Sequence, residues 1–285
     1  MKGIVIRNGF YNSSSYTHQV GRIVEELVKR GQDIEVVKNS EAYGIKENYG
    51  ADFAVFLDKD IYLARILEQA GMIVFNNSFA IENCDDKILT SINLSRNSEI
   101  YLPKTLIAPL MYERQEIQDE YLQSIEKAIG YPMVAKKAKG SLGESVYLIE
   151  NREQLEKVQP SLLGEPHLYQ VFVEESRGKS VRVIVVGGEV IASMMLTNEN
   201  GDFRSNAQPS KAEKVELDEE YLKSAKMVAE SLDLDYCGID FFVGAAMVIE
   251  VNSNAFFQKM EAVTNKNIAG AYAGYMVEYL KEFER

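Results

Sequence analysis

Short apolar runs alternate with helical patterns through the first part of the chain. Gly3 to Ile6 predicts a strand, and Val20, Ile23, Val24, Leu27 and Val28 recur at helical spacing before Gly31 stops the helix. Ile34 to Val37 and the block DFAVFLD around Val55 predict two more strands. Ile61 to Ala70 follows as a helix ended by Gly71, and Met72 to Phe75 as a further buried strand. Strands alternating with helices imply a parallel sheet covered on both faces. A second helix start is expected at Asn83, with Asp85 and Asp86 in the first turn, where carboxylates complement exposed amides.

After Pro103 the period shortens. From about Tyr131 the runs YPMVAKK, ESVYLIE, LYQVFVEE, VRVIVV and VIASMML read as strands, the last two joined through Gly187 and Gly188. Tandem hairpins are mostly antiparallel, so this half is α+β. Leu222, Ala225, Val228, Ala229 and Leu232 mark an amphipathic helix, and a helical stretch runs from about Asn267 to Phe283.

Composition narrows the function classes. The chain has 285 residues, 31 Lys and Arg against 43 Asp and Glu, and a net charge of −12. That field repels polyanions, which argues against nucleic acid as a bulk partner. No run approaches the roughly 18 apolar residues of a membrane span, and the N-terminus has no cleavage pattern, so a soluble cytoplasmic protein without a membrane partner is expected. Cys84 and Cys237 are too few for a disulfide framework and read as buried packing residues. With His18 and His167 as its only histidines, the chain is poorly equipped for a multi-histidine zinc site or a hydrolytic triad. A metal must therefore use oxygen ligands.

The stretch GIDFFVGAAMVIEVNSN supplies them. If Gly244 to Ala246 form the turn, Asp240 lies opposite Glu250 and Asn252 shares the face of Glu250. Ile239, Phe241, Val243, Met247, Ile249 and Val251 would then line the apolar face. Opposed carboxylates at about 4.5–5.5 Å between Cβ atoms repel each other unless a cation compensates. An oxygen-only set suits magnesium or manganese, with open positions for phosphate oxygens and water. The alternative for such a pair is the solvated face of an edge hairpin.

Three further segments could serve that chemistry. In YPMVAKKAKGSLGESVYL, Lys136 closes an apolar strand ahead of the flexible run Gly140, Ser141, Leu142, Gly143, a loop able to fold over phosphates; a plain hairpin tip has the same composition. In GDFRSN, Arg204 and Asn206 share a face at i+2 and could grip phosphate oxygens, or form only a polar turn. NGFYNSSSYTH follows the first strand, where open parallel sheets bind ligands, and reads equally as substrate contact or surface loop. It lacks the Gly-x-Gly-x-x-Gly fingerprint, which weighs against a Rossmann-type dehydrogenase.

Taken in order, these segments resemble the ATP-grasp superfamily, and within it the RimK-like carboxylate-amine (alpha-L-glutamate type) ligases. The likeness runs from about Asn83 to the C-terminus through CDDKIL, YPMVAKKAKGSLGESV, QVFVEESRGKSVRVIVVGGEVIASM, NGDFRSN, GIDFF with VIEVNSNAFF, and EAVTNKNIAGAY. The resemblance implies an α/β pre-ATP-grasp domain with a parallel sheet (1–82), followed by an α+β ATP-grasp fold of two subdomains, a small one with its connecting helix (83–170) and a large one (171–285).

By the same resemblance, ATP lies between the subdomains. Lys136 and Lys87 match nucleotide-contacting lysines, Gln170, Val171 and Phe172 the adenine hinge, and Arg204, Ser205 and Asn206 the RSN contact. Ser180 stands where an acid often holds the ribose. Asp240, Glu250 and Asn252 match the ligands of Mg²⁺ or Mn²⁺, two ions in all, and Arg182 and Arg204 are the catalytic cations. Lys137, Lys139 and Lys211 are expected to join Lys136 and these arginines around the phosphates. The implied reaction makes an acyl phosphate from a small carboxylate or amino-acid substrate, then an amide with an amine, a peptide acceptor included. Members of the family are often homo-oligomers. Leu196 and Thr197 replace arginines common in the family, and Pro209, Ser210 and Lys211 replace a Gly-Gly turn. Both departures lie near the acceptor side and keep open a nucleotide-binding protein without ligase turnover.

Overall fold

The computed structural model describes residues 1–43, 50–111, 117–140, 143 and 145–283. Within the N-terminal part the elements are β1 (Lys2–Arg7), α1 (Ser14–Lys29), β2 (Asp33–Lys38), α2 (Asn39–Ala42), β3 (Phe53–Leu57), α3 (Ile61–Gln69) and β4 (Ile73–Phe75). Their strands pair in parallel in the order β2-β1-β3-β4. All five residues of β3 are buried, as expected of a central strand covered on both faces.

The expected helix start at Asn83 is displaced. Asn77 caps a helix that begins five residues earlier, its side chain accepting from the Ala80 N–H at 2.8 Å, and α4 (Ser78–Asp85) results. Asp86 then caps α5 (Lys87–Leu94) by accepting from the Ile88 and Leu89 N–H groups at 2.9 and 3.1 Å. Two Asx caps so close together look like one helix with an acidic first turn. The second cap sets Lys87 at the very start of α5.

A smaller antiparallel sheet, ordered β5-β8-β6-β7, is built from β5 (Thr105–Ile107), β6 (Met133–Lys137), β7 (Val146–Ile149) and β8 (His167–Val171). It is backed by α6 (Asp119–Ala128) and α7 (Arg152–Leu162), whose Leu122, Ile125, Leu155 and Leu162 share a core with Met133, Ala135 and Tyr169. Neither helix was expected from the sequence; Pro160 lies inside α7.

The larger antiparallel sheet comprises β9 (Lys179–Val186), β10 (Glu189–Asn198), β11 (Ser210–Lys214), β12 (Tyr236–Phe241) and β13 (Val248–Asn252), ordered β11-β10-β9-β12-β13. One face packs on α8 (Glu219–Ser231) through Val181, Val183, Val185, Ile239 and Phe241. The other face is divided. Ile184, Val186, Ala192 and Tyr236 share a core with Val55 and Phe75 of the parallel sheet, with α1, and with α9 (Gln258–Thr264) and α10 (Ile268–Lys281). Further along, this face carries Ser180 and Arg182 on β9, Asp240 on β12 and Glu250 on β13, while β10 stays apolar with Met194 and Leu196. No described helix is long and apolar enough to cross a membrane.

Candidate active site

Strand register places the charged side chains in one rung. Met194 of β10 lies opposite Arg182 of β9, Arg182 opposite Asp240 of β12, and Asp240 opposite Glu250 of β13. The expected Asp240–Glu250 opposition is thus present. Protein cations stand beside both carboxylates: Arg182 donates Nε and Nη2 to the two Asp240 carboxylate oxygens at 2.7 and 2.6 Å, and Lys87 Nζ stands 3.6 Å from Glu250 Oε1. Asp240 is only 5% exposed, and the forked arginine makes that burial tolerable. Burial by itself lowers the Arg182 pKa, but Asp240 outweighs it and keeps the guanidinium charged.

The apolar face of this hairpin needs a correction. The register shifts after Asp240, so Phe241 pairs with Val248 and β13 carries one extra residue. Val248 takes the buried position, Ile249 is turned to the cleft beside Glu250, and Met247 bridges to Tyr101 outside the α8 core. Asn252 lies two residues along from Glu250, opposite Gly238.

Two cavities meet at this rung. The first lies between the small and large sheets, with Lys136, Gln170, Phe172, Lys179 and Arg204 in its wall. Burial pushes Lys136 down to about 8, Glu250 pulling it up and Lys87 pushing it further down. Lys87 donates to the Gly140 carbonyl at 3.0 Å, and Arg204 Nη1 donates to the Gly143 carbonyl at 2.8 Å, so cations tie both ends of the glycine loop. Ser141 and Leu142 of that loop lie outside the described residues. Gly143 has φ +75°, a backbone region that favours glycine, and a Cβ there would stand 3.1 Å from the Arg204 side chain.

Arg204 is itself oriented by Asp202, to which Nε and Nη2 donate at 3.0 and 2.7 Å, a contact that raises its pKa. Ser205 and Asn206 follow it into the cavity wall. Gln170 donates to Thr105 Oγ1 at 2.9 Å, while its buried Oε1 has no hydrogen-bond partner among the described residues. Val171 continues the wall, and Phe172 meets Phe203 edge to face at 6.0 Å. Ser180 is fully buried, its hydroxyl bonded to that of Ser205 at 2.6 Å.

Part of the expected basic cluster does not assemble. Lys211 pairs with Glu213 at 2.8 Å on β11, Lys137 sits opposite His167 on β6 away from the cavity wall, and Lys139 lines a separate small recess with Asp85 and Asp86. Local pairing and strand alternation decide these placements.

The second cavity, of about 660 Å³, lies between the C-terminal ends of the parallel strands and the part of the large sheet that carries Arg182, Met194, Leu196, Glu250 and Asn252. Glu250 and Asn206 belong to both cavities; Arg182 and Asn252 open onto the second. In NGFYNSSSYTH, Asn8, Tyr11, Ser15 and Tyr16 line this cavity, while Phe10 is exposed. Tyr16 anchors the segment by donating to the Leu57 carbonyl at 2.8 Å and accepting from the Asn8 N–H at 2.6 Å.

Sequence reasoning missed Asp58 and Lys59 here, although a position just beyond a parallel strand was signal enough. It also missed Lys179, Asn254 and Lys259. Lys59 donates to Asp85 at 2.9 Å. Burial alone lowers its pKa, but Asp85 reverses the shift and raises it.

Comparison with known proteins agrees with this architecture. Residues 84–276 match the RimK-like ATP-grasp domain family. Over 222 residues the chain is 34% identical to an uncharacterised protein of Mycoplasma genitalium, covering 75% of this chain and 77% of that one. Over 283 residues it is 30% identical to a probable alpha-L-glutamate ligase of Cellvibrio japonicus, covering 91% of each. Among solved structures, D-alanine–D-alanine ligase from Bacillus anthracis complexed with ATP superposes with a TM-score of 0.75 at 17% identity over 100% of both chains, a likeness of fold. The polar rung of the large sheet, the glycine loop tied at both ends and the sequence match over most of the chain lead to one assignment: this chain belongs to the RimK-like ATP-grasp family.

Proposed function

We propose that this chain is an ATP- and Mg²⁺-dependent ligase that activates a carboxylate as an acyl phosphate and joins it to the amine of an amino acid or peptide. The observation that carries the reading is the shared wall: Glu250 and Asn206 border both cavities, so a phosphate end in the first meets a substrate in the second. Lys87, Lys136 and Arg204 are the phosphate-binding cations, with Ser205 and Asn206 beside them. Gln170, Val171 and Phe172 flank the adenine, for whose amino group the unpartnered Gln170 Oε1 is a fitting acceptor. Ser180 contributes by fixing Ser205 rather than by holding the ribose as an acid would.

Asp240, Glu250 and Asn252 form an oxygen-only donor set on one side of a hairpin, which fits Mg²⁺ or Mn²⁺. They would hold the ions, two in all, and such ions supply charge neutralisation to transferring phosphate. Arg182, fixed in orientation by Asp240, faces the second cavity and is the residue to neutralise the substrate carboxylate and its phosphorylated form. Catalysis then consists of positioning and charge compensation, with no covalent side chain. The two buried free thiols agree with a cytoplasmic location.

Replacing Glu250 or Asp240 by Ala is expected to abolish ADP release with an amino-acid panel; undiminished turnover in both variants would defeat the metal assignment. A second reading, nucleotide binding without turnover, draws on the Ser180–Ser205 contact. Tight ATP binding with no phosphate release across a wide acceptor panel would favour it.

A further inference from the structure

The second cavity carries information about its occupant that the family assignment does not. Its floor is apolar, because Met194 and Leu196 of β10 project into it at 2% and 3% exposure. Its side wall is aromatic: Tyr11 stacks on Phe256 at 6.2 Å with rings 15° apart, and Tyr16 stands 5.4 Å from Tyr11 and 5.9 Å from Phe256. Amide side chains such as Asn8, Asn206 and Asn254 complete the rim.

The charges are few and mostly committed. Among the described lining residues Lys59 is paired with Asp85, and Arg182 is forked onto Asp240. Lys259, at the start of α9, donates to the Ser210 carbonyl and hydroxyl at 2.8 and 3.1 Å and has no carboxylate partner among the described residues. On the acidic side, the Asp58 carboxylate lines the cavity and accepts only from neutral donors, the Asn8 amide at 3.2 Å and the Lys59 N–H at 2.7 Å. A second carboxylate on the amine substrate would find Lys259 taken by the first, Arg182 engaged by Asp240 and the activated carboxylate, and the Asp58 carboxylate in the same lining. It would lose water without gaining a partner.

We propose that the amine substrate is an amino acid, or a short peptide, with one carboxylate and an apolar side chain. Lys259 binds the carboxylate, and Met194, Leu196 and the Tyr11–Phe256 stack receive the side chain. The cavity volume of about 660 Å³ accommodates a leucine- or phenylalanine-sized side chain together with the activated carboxylate. A dicarboxylic amino acid such as glutamate is disfavoured. The inference rests on the ligase reading for the role of the ligand, while the selectivity follows from the lining residues alone.

Calorimetry on the full chain with Mg²⁺ and a non-hydrolysable ATP analogue tests it, with leucine, phenylalanine and glutamate as probes. Leucine or phenylalanine should bind at least about tenfold tighter than glutamate, the range expected when a buried polar group lacks its partner. Leu196→Arg, which adds a cation to the floor, should reverse that order. Lys259→Met, at an exposed position that does not endanger folding, should weaken leucine about tenfold. Glutamate binding as tightly as leucine, no binding by any of the three, or unchanged leucine affinity in Lys259→Met would overturn the proposal. Failure of the analogue to bind while leucine selectivity persists would remove the nucleotide reading and leave the selectivity standing.

Discussion

The two cavities share the Glu250 wall yet are built on opposite principles. In the first cavity, cations converge from α5, β6 and the loop after β10, two of them aimed by contacts of their own: Lys87 by Gly140, Arg204 by Asp202 and Gly143. In the second cavity the lining is mostly apolar or amide, and of its cations Lys59 and Arg182 are paired with carboxylates while Lys259 is not, among the described residues. A triphosphate is the same ligand in every enzyme that uses it, so its site can be rigid and highly charged. The second substrate is where selectivity is exercised, and apolar floors with one or two placed charges exercise it.

Arg182 links the two sides, since it lines the second cavity while its partner Asp240 lines the first, and removing it has the largest expected effect. Arg182→Ala leaves Asp240 buried without its partner, which costs about 3–5 kcal/mol, and denaturant unfolding should register a drop of that order together with loss of turnover. A variant as stable as the parent would show that the rung is not held by this pair.

Next in size is Lys136, which lines the first cavity and not the second. Burial holds it down to about 8, so the free protein carries the ammonium below that pH and loses it above. ATP affinity measured by titration should therefore fall as pH rises from 8 to 10, with proton uptake on binding, by up to about tenfold per unit. In Lys136→Met the profile should be flat and the affinity low throughout. A wild-type affinity independent of pH across that window would detach Lys136 from the phosphates.

The smallest expected effect sharpens the acceptor side. Tyr11→Ala removes one member of the aromatic wall, worth about 0.5–1.5 kcal/mol. Steady-state kinetics should show the KM for the amine substrate rising several-fold, and by more than the KM for ATP. An equal rise in both would place Tyr11 outside the acceptor site.

Which features were readable from sequence follows the same division. Asp240 opposite Glu250 could be read because a local turn and strand alternation determine it. The β-bulge could not, since one extra residue leaves no mark on composition, and it moved Ile249 from the expected core to the cleft. The Arg182–Asp240 fork joins residues 58 apart in sequence, on strands that pair only once the sheet is assembled. Lys211 was drawn to the phosphates by its charge, whereas its neighbour Glu213 on β11 already satisfies it. The second cavity was the least legible part: Asp58, Tyr11, Leu196 and Lys259 come from four segments, and only tertiary packing makes them neighbours.

The central claim is that Glu250 holds a divalent cation against ATP where the two cavities meet. Calorimetric titration of ATP with and without Mg²⁺, on the wild type and on Glu250→Gln, tests it most directly. The wild type should lose at least about tenfold in affinity when Mg²⁺ is withheld, a difference of about 1.4 kcal/mol, and Glu250→Gln should bind ATP weakly with little response to the metal. The same Mg²⁺ response in both proteins, or no ATP binding by the wild type, would contradict the account.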